Sequence, residues 1–130
     1  MKLEGTGKLL RIFIGEDDHL NKKPLYHVFV EKAREMGMAG ATVLRGVESF
    51  GAGSMIHTAK LLELSGDLPI VIEFVDTEEK VDAFLPIVED LFEKAGCGGM
   101  ITEERVNVIH YTHGKTHEEQ WCSLSGTSLI

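Results

Sequence analysis

The sequence predicts an α+β domain, a βαββαβ sandwich whose antiparallel sheet carries both helices on one face. Two observations lead to this prediction. Apolar residues alternate along several short segments, as in strands, and recur every three to four residues along two longer segments, as in helices. The segments follow one another as strand, helix, strand, and then again as strand, helix, strand. This split βαβ order is that of ferredoxin-like domains.

Length and charge narrow the class of protein. A chain of 130 residues suits one domain with one core. No apolar run approaches the roughly 18–20 residues that cross a bilayer, so we expect a cytoplasmic protein. Thirteen Lys and Arg against 21 Asp and Glu argue against a nucleic-acid binder. Cys97 and Cys122 are too far apart for a CxxC motif, and no disulfide scaffold is expected.

The first unit begins with a strand over residues 8–15, followed by a polar turn over residues 16–21. A helix follows, with Asn21 as a possible cap and Gly37 as its stop. Its apolar stripe comprises Leu25, Val28, Phe29, Ala33 and Met36. The second strand covers residues 41–47 and leads into a glycine-containing loop over residues 46–60. Leu61, Leu62 and Leu64 fit either a short helix or the start of a strand.

The second unit begins with a strand over residues 68–75. Asp76 or Thr77 caps the next helix, and Asp76 with Glu79 has the spacing of a capping box. Pro86 is expected to bend or break this helix, and Gly96 to end it. Its apolar stripe comprises Val81, Phe84, Leu85, Val88, Leu91, Phe92 and Ala95. A glycine-rich loop over residues 96–101 precedes the last strand, expected over residues 103–111.

The alternation within the strands divides the sheet into two faces. The face expected to pack on the helices comprises Leu10, Ile12, Ile14, Ile70, Ile72, Phe74, Val106 and Val108. The other face comprises Leu9, Arg11, Phe13, Val71, Glu73, Val75, Arg105, Asn107 and Ile109. That second set is too apolar for a sheet facing water, so it predicts a closed homo-oligomer with inward-facing sheets.

Five short motifs, in this order and spacing, resemble the PII-like superfamily, and specifically a bacterial and archaeal branch catalogued as a domain of unknown function. They are R-I-F-I-G-E (11–16), G-A-T-V-L-R-G (40–46), F-G-A-G (50–53), I-V-I-E-F-V (70–75) and G-C-G-G-M-I (96–101). The resemblance covers roughly residues 8–111. It implies a homotrimer with an adenine nucleotide between neighbouring subunits. It also implies a mobile loop that regulates a partner protein, which in parts of this superfamily is a membrane transporter or channel.

The resemblance also implies a set of nucleotide-binding residues. Thr42 matches a threonine near the base, and Glu73 a carboxylate beside the nucleotide. Phe50 and Gly51 match the base of the mobile loop, and the loop of Gly98 and Gly99 matches the one that holds phosphates. The full expected set is Thr42, Arg45, Phe50, Gly51, Ala52, Gly53, Glu73, Gly98, Gly99, Met100 and Arg105.

Two departures from the nitrogen-regulatory PII proteins alter the expectation. The loop over residues 46–60 has no tyrosine to modify, and Met100-Ile101-Thr102 stands where those proteins continue with Asp-Gly-Lys. Backbone N–H groups would then meet the phosphates, with Arg45, His57, Lys60 and Arg105 as candidate cations. With fewer cations, AMP or ADP is favoured over ATP as the ligand, although ATP stays possible.

Other interpretations stay open at this stage. Glu73 also fits a structural ion pair with Arg11 or Arg105. The fold domain is expected over residues 1–111, with a tail over 112–130. In that tail His113 and His117 have the spacing of a zinc pair, but no metal site is predicted. A trimeric metal-tolerance protein, using histidines or Cys97, and a small enzyme in the interface cleft are the alternatives. No catalytic residues are predicted, and the favoured function is not enzymatic.

Overall fold

The computed structural model of the protein describes residues 3–51, 57–58, 67–112 and 114, with the backbone alone at residues 57–58. The predicted strands and helices are present there, together with short strand pairs that the sequence did not predict. In chain order, the elements are β1 (Gly5–Gly15), β2 (His19–Leu20), β3 (Lys23–Pro24), α1 (Leu25–Glu35), β4 (Thr42–Arg45), β5 (Glu48–Ser49), β6 (His57–Thr58), β7 (Pro69–Asp76), α2 (Glu78–Ala95) and β8 (Met100–Val108).

The main sheet has four strands in the order β4-β7-β1-β8. Each adjacent pair is antiparallel: Ile12 lies opposite Ile72 of β7 on one side and Ile101 of β8 on the other. The strands β4 and β7 therefore pair at one side of the sheet, and β1 lies inside it between β7 and β8, as the split βαβ order requires. The α+β fold class is confirmed.

The core lies between one face of this sheet and the two helices. Leu10, Ile12 and Ile72 are fully buried, as are Phe29 of α1 and Phe84 of α2. The rings of Phe74 and Phe84 meet edge to face with centroids 5.1 Å apart. Both helices therefore pack on the same face, and burial of this apolar surface is the main stabilising contribution to the fold.

The helix ends differ in part from the sequence expectation. Asn21 lies in the turn between β2 and β3 with φ of 51°, and α1 follows Pro24 instead, so Asn21 does not cap it. Thr77 caps α2 by accepting a hydrogen bond from the Lys80 N–H at 3.2 Å. Asp76 belongs to β7, so the predicted capping box with Glu79 is wrong.

Two further helix expectations concern Pro86 and Gly96. The helix α2 continues through Pro86, so no break occurs there. Gly96 ends α2 in the left-handed conformation with φ of 66°, and its N–H donates to the carbonyls of Phe92 and Glu93. The predicted stop at Gly96 is confirmed, because this backbone conformation favours glycine.

The register of β8 corrects the predicted faces of the sheet. The strand begins at Met100, three residues earlier than expected, and places Val106 opposite Gly7 and Arg105 opposite Lys8. Residues directly opposite in a sheet share a face, so Val106 lies with Leu9 on the face away from the helices. Val106 and Val108 were assigned to the wrong face, and so were Arg105 and Asn107.

The described helices give no sign of a membrane span. Among these residues, neither α1 nor α2 has both the length and the hydropathy needed to cross a bilayer. Residues 61, 62 and 64, for which the sequence left helix and strand open, lie outside the described part of the chain. The boundary between the fold domain and the tail at residue 112 stays a prediction.

Candidate functional site

The two glycine-containing loops meet at one end of the sheet, around an open cleft of about 600 Å³. The end of β1, the start of β7 and the start of β8 form its floor. Ser49, Phe50 and Gly51 approach from one side, and Gly98, Gly99 and Met100 from the other. A volume of this size lies within the range of small-molecule pockets. The cleft therefore has room for a nucleotide-sized ligand.

Five of the predicted nucleotide-binding residues line this cleft. They are Phe50, Gly51, Gly98, Gly99 and Met100. Phe50 is 71% exposed and Met100 is 53% exposed, so both present apolar surface that this single chain leaves open to solvent. An aromatic ring in that position offers a face on which a base can stack. Ala52 and Gly53 lie outside the described residues.

The two adjacent glycines of the second loop differ in what they require. A Cβ at Gly99 would lie 2.5 Å from the Phe13 carbonyl oxygen and 2.5 Å from the Phe92 ring. Gly99 is therefore needed for packing. A Cβ at Gly98 would meet nothing within 4 Å. Packing in this chain does not explain Gly98, whose open backbone leaves room for close approach of a ligand.

The charged groups beside the cleft are acidic. Asp18 and Asp67 line it, and no lysine or arginine does so among the described residues. Asp18 Oδ2 accepts the Gly15 N–H at 2.8 Å, and Asp67 Oδ1 accepts the Asp17 N–H at 3.1 Å. These bonds hold both carboxylates at the end of β1. The cleft therefore favours a ligand with little negative charge on this side.

Cys97 lies next to this acidic end. Burial of the thiol raises its pKa above the ordinary value for cysteine, and the negative charge of nearby Asp18 raises it further. The thiol is free and half-buried. Cys97 is therefore held as a neutral thiol at neutral pH, which disfavours metal binding or nucleophilic attack through this residue.

The two predicted arginine donors do not line the cleft. Arg45 pairs with Glu16 through Nη1 and Oε2 at 3.0 Å. Arg105 Nε lies 3.3 Å from Glu78 Oε1, at the start of α2. Both arginines lie on the helix side of the sheet, as the register requires. The side chain of His57 and the whole of Lys60, the other two candidate cations, lie outside the described part of the chain.

Thr42 and Glu73 lie directly opposite each other on the face away from the helices. Glu73 Oε2 accepts a hydrogen bond from Arg11 Nε at 2.8 Å, and Arg11 Nη1 donates to Glu104 at 2.7 Å. The two carboxylates raise the pKa of the Arg11 guanidinium, with Glu73 the larger cause. The ion pair of Glu73 with Arg11 is confirmed, whereas the alternative pairing with Arg105 is wrong. Neither Thr42 nor Glu73 lines the cleft.

Apolar residues surround this ion network on the outer face. Leu9, Phe13, Val71, Val75 and Val106 are each half-buried there. Leu44 and Met100 are 47% and 53% exposed along the same surface. The apolar outer face that the sequence predicted is therefore present, with Val106 added and Ile109 beyond the end of β8.

Sequence reasoning missed the acidic residues of the site. Asp18 belongs to an E-D-D run after β1, and Asp67 comes just before β7. The signal available was their position at strand ends that meet at one edge of the sheet. Among the described residues, no group of three His, Cys, Asp or Glu is placed to hold a metal ion. His113 and His117, the histidine pair considered for zinc, lie outside that part of the chain.

Comparison of the whole chain with known families gives a single assignment. The model of DUF190, a family described as "Uncharacterized ACR", matches residues 7–108. The chain belongs to the DUF190 family. Two UPF0166 proteins from Aquifex aeolicus are 42% and 35% identical to it, over 79% and 77% of this chain and 93% and 94% of theirs. A UPF0166 protein from Methanocaldococcus jannaschii is 30% identical over 85% of this chain and 96% of its own.

Solved structures place this DUF190 chain in the PII-like fold. CPII, a nitrogen regulatory PII-like protein from Thiomonas intermedia K12 bound to ADP, AMP and bicarbonate, matches with a TM-score of 0.62 and 18% identity, over 81% of this chain and 90% of CPII. CPII bound to ADP, AMP and acetate matches with a TM-score of 0.58 and 21% identity, over 85% and 94%. The expected family of unknown function and the likeness of its fold to PII-like proteins are thus confirmed.

Proposed function

We propose that this DUF190 protein is a cytoplasmic, non-enzymatic sensor that binds an adenine nucleotide and regulates a partner protein. The single observation that carries the proposal is the convergence of two separate loops on one cleft. Phe50 and Gly51 come from the first loop, and Gly98 and Met100 from the second. The PII-like fold and the ADP and AMP bound to CPII support the choice of nucleotide.

The charges beside the cleft support a ligand with few phosphates. Asp18 and Asp67 line it, and each further phosphate adds negative charge near these carboxylates. Backbone N–H groups around Gly98 would supply the donors for the remaining charge. AMP and ADP are therefore the favoured ligands, and ATP is expected to bind less tightly.

The apolar outer face supports a closed homo-oligomer, and we propose a trimer. Leu9, Val71 and Val106 are half-buried on a face without a covering layer in the described chain. A second copy would cover this apolar surface. The loop over residues 46–60 would then respond to the nucleotide and engage or release the partner protein, for which a membrane transporter or channel is the candidate.

The decisive experiment is calorimetric titration of the full chain with AMP, ADP and ATP, with and without magnesium. We expect saturable binding at about one nucleotide per chain, tighter for AMP or ADP than for ATP. Phe50→Ala should weaken binding without loss of stability, because Phe50 is 71% exposed. Ile109→Ala is the control, because it removes an apolar side chain that is 80% exposed and does not line the cleft.

Three results would count against the proposal. Failure of all three nucleotides to bind to a folded oligomer would leave the cleft without its expected ligand. Equal affinity in wild type and Phe50→Ala would remove this cleft as the binding site. Release of a hydrolysed product during the titration would favour an enzyme over a sensor.

A further inference from the structure

A second, smaller groove lies at the other end of the molecule, between the last turns of α1 and the loop that follows. Its volume is about 270 Å³. Arg34 is the one charged residue in its lining among the described residues. The rest of the lining is apolar and consists of Val30, Ala33, Met38, Ala39 and Ala41, beside the backbone of Gly40. A groove of this size is at the small end for a ligand pocket and suits one large side chain.

The groove is far from the proposed nucleotide cleft. Pro69, at the start of β7, lines the cleft, whereas Asp76, at the end of β7, bonds to the N–H of Ala39 in the groove. Seven residue steps along a strand span about 23 Å. A segment seated in the groove would therefore leave the cleft of the same chain open.

The end of the described chain leads directly to this groove. After β8, the Tyr111 N–H donates to Glu4 Oε2 at 3.1 Å, and the Tyr111 hydroxyl donates to the Ala39 carbonyl at 3.4 Å. Ala39 is itself part of the groove lining. The hydroxyl of Tyr111 thus connects the chain after the edge strand β8 to the loop that follows α1.

The residues that follow have the chemistry the groove requires. Trp121 is the only tryptophan of the chain, and Glu118 and Glu119 precede it. Nine residue steps from Thr112 to Trp121 span at most about 30 Å, enough to reach a groove that Tyr111 already contacts. An indole beside Arg34 and Met38 would gain cation–π and sulfur–aromatic contacts, and the two glutamates complement the charge of Arg34.

We propose that the C-terminal segment 115–130 docks in the groove of its own chain, with Trp121 as the apolar anchor and Glu118 or Glu119 beside Arg34. This inference goes beyond the proposed nucleotide function and does not depend on it. It assigns the tail an intramolecular position, at the end of the sheet opposite the cleft.

Fluorescence of the single tryptophan in the full chain tests this directly. We expect a blue-shifted emission from wild-type Trp121 and an acrylamide quenching constant roughly threefold lower than in denaturing urea, because a packed indole is shielded from solvent. Ala41→Glu places a carboxylate at the groove wall, where it repels Glu118 and Glu119 and competes with them for Arg34, and should raise quenching toward the urea value. Ala41 is exposed, so this variant is expected to fold.

Ala83→Glu is the matched control, since Ala83 is also exposed but lies on α2. It should leave Trp121 as protected as in wild type, and circular dichroism should show native folding in both variants. Wild-type quenching equal to that in urea would overturn the proposal. So would equal protection in Ala41→Glu and wild type, or protection that disappears on dilution, which would indicate docking on another copy.

Discussion

Asp76 Oδ2 accepts the backbone N–H of Ala39 at 2.8 Å, which ties the end of β7 to the loop between α1 and β4. The second carboxylate oxygen accepts the N–H of Thr77 at 2.7 Å, at the start of α2. The Asp76 side chain is completely buried. Lys80 strengthens the same junction by donating to the Gly37 carbonyl at 3.2 Å. One buried carboxylate therefore joins both helices to the sheet.

Replacing Asp76 by alanine should destabilise the fold. The substitution removes the acceptor of two N–H groups, so the free energy of unfolding in urea should fall by about 2–4 kcal/mol. Asp76→Asn keeps one acceptor oxygen, so its free energy of unfolding should lie between those of wild type and Asp76→Ala. Asp90→Ala removes an exposed carboxylate that pairs with Lys94, and should cost about 0.5 kcal/mol or less. Equal losses for Asp76→Ala and Asp90→Ala would contradict the structural role of Asp76.

Alanine substitutions at Gly98 and Gly99 should have different effects, the first on ligand affinity and the second on stability. Gly98→Ala has open space around the new methyl group, so stability should change by less than about 0.5 kcal/mol. The methyl group nevertheless enters the cleft, so ADP affinity measured by calorimetry should fall. Gly99→Ala would press on the Phe13 carbonyl and the Phe92 ring, and should cost about 1–3 kcal/mol in urea unfolding. The prediction fails if Gly98→Ala binds ADP as tightly as wild type.

The raised pKa of Cys97 predicts slow alkylation at neutral pH. In a Cys122→Ser background, the rate of alkylation by iodoacetamide should rise with pH, and this rise should occur at higher pH than for free cysteine. The reason is that burial and Asp18 both disfavour the thiolate of Cys97. The folded state holds the proton more tightly than the unfolded state does. This contribution to stability is therefore complete below the unfolded pKa and is lost as pH rises through the folded pKa.

A variant at Asp18 tests the causes of that displacement. Asp18→Asn removes the negative charge and should move the alkylation curve part of the way back, because burial, the larger cause, stays. A wild-type curve that coincides with that of free cysteine would show that the thiol is neither buried nor affected by Asp18.

The outer face of the sheet should be sensitive to charge if it is an interface between copies. Val71→Glu places a carboxylate between the apolar residues Phe13 and Leu44 of the outer face. The oligomer should then dissociate, and light scattering should give a lower mass than for wild type. Ala83→Glu adds the same group on the exposed face of α2 and should leave the mass unchanged. A Val71→Glu protein that keeps the wild-type mass would place the interface elsewhere.

Much of the fold follows from local patterns. The helical spacing of Val81, Phe84 and Val88 identified the buried stripe of α2, and Gly96 ended the helix where its left-handed conformation is needed. The alternation of Leu10, Ile12 and Ile14 identified the buried side of β1. These residues interact mainly with near neighbours in sequence or with one common core, so periodicity was sufficient.

Long-range pairing decided what periodicity left ambiguous. The last strand reads M-I-T-E-E-R-V-N-V, with polar and apolar residues on both alternating sets, so its pattern does not choose a face. Pairing of Ile12 with Ile101 fixed the register and moved Val106 to the outer face, because a shift of one residue exchanges the two faces. Likewise Arg45 and Arg105, candidate phosphate donors in the sequence, lie with Glu16 and Glu78 on the helix side.

Local sequence patterns were sufficient to identify the order of the main strands and helices, the buried helix stripes, the two glycine-containing loops and a fold similar to that of PII-like proteins. The tertiary structure was needed to show that Phe50 and Gly98, 48 positions apart in the chain, line one cleft with Asp18 and Asp67. The physical reason is the range of the interactions. Backbone preferences and apolar periodicity act over a few residues, whereas a site between loops depends on strand register and on packing of the whole sheet.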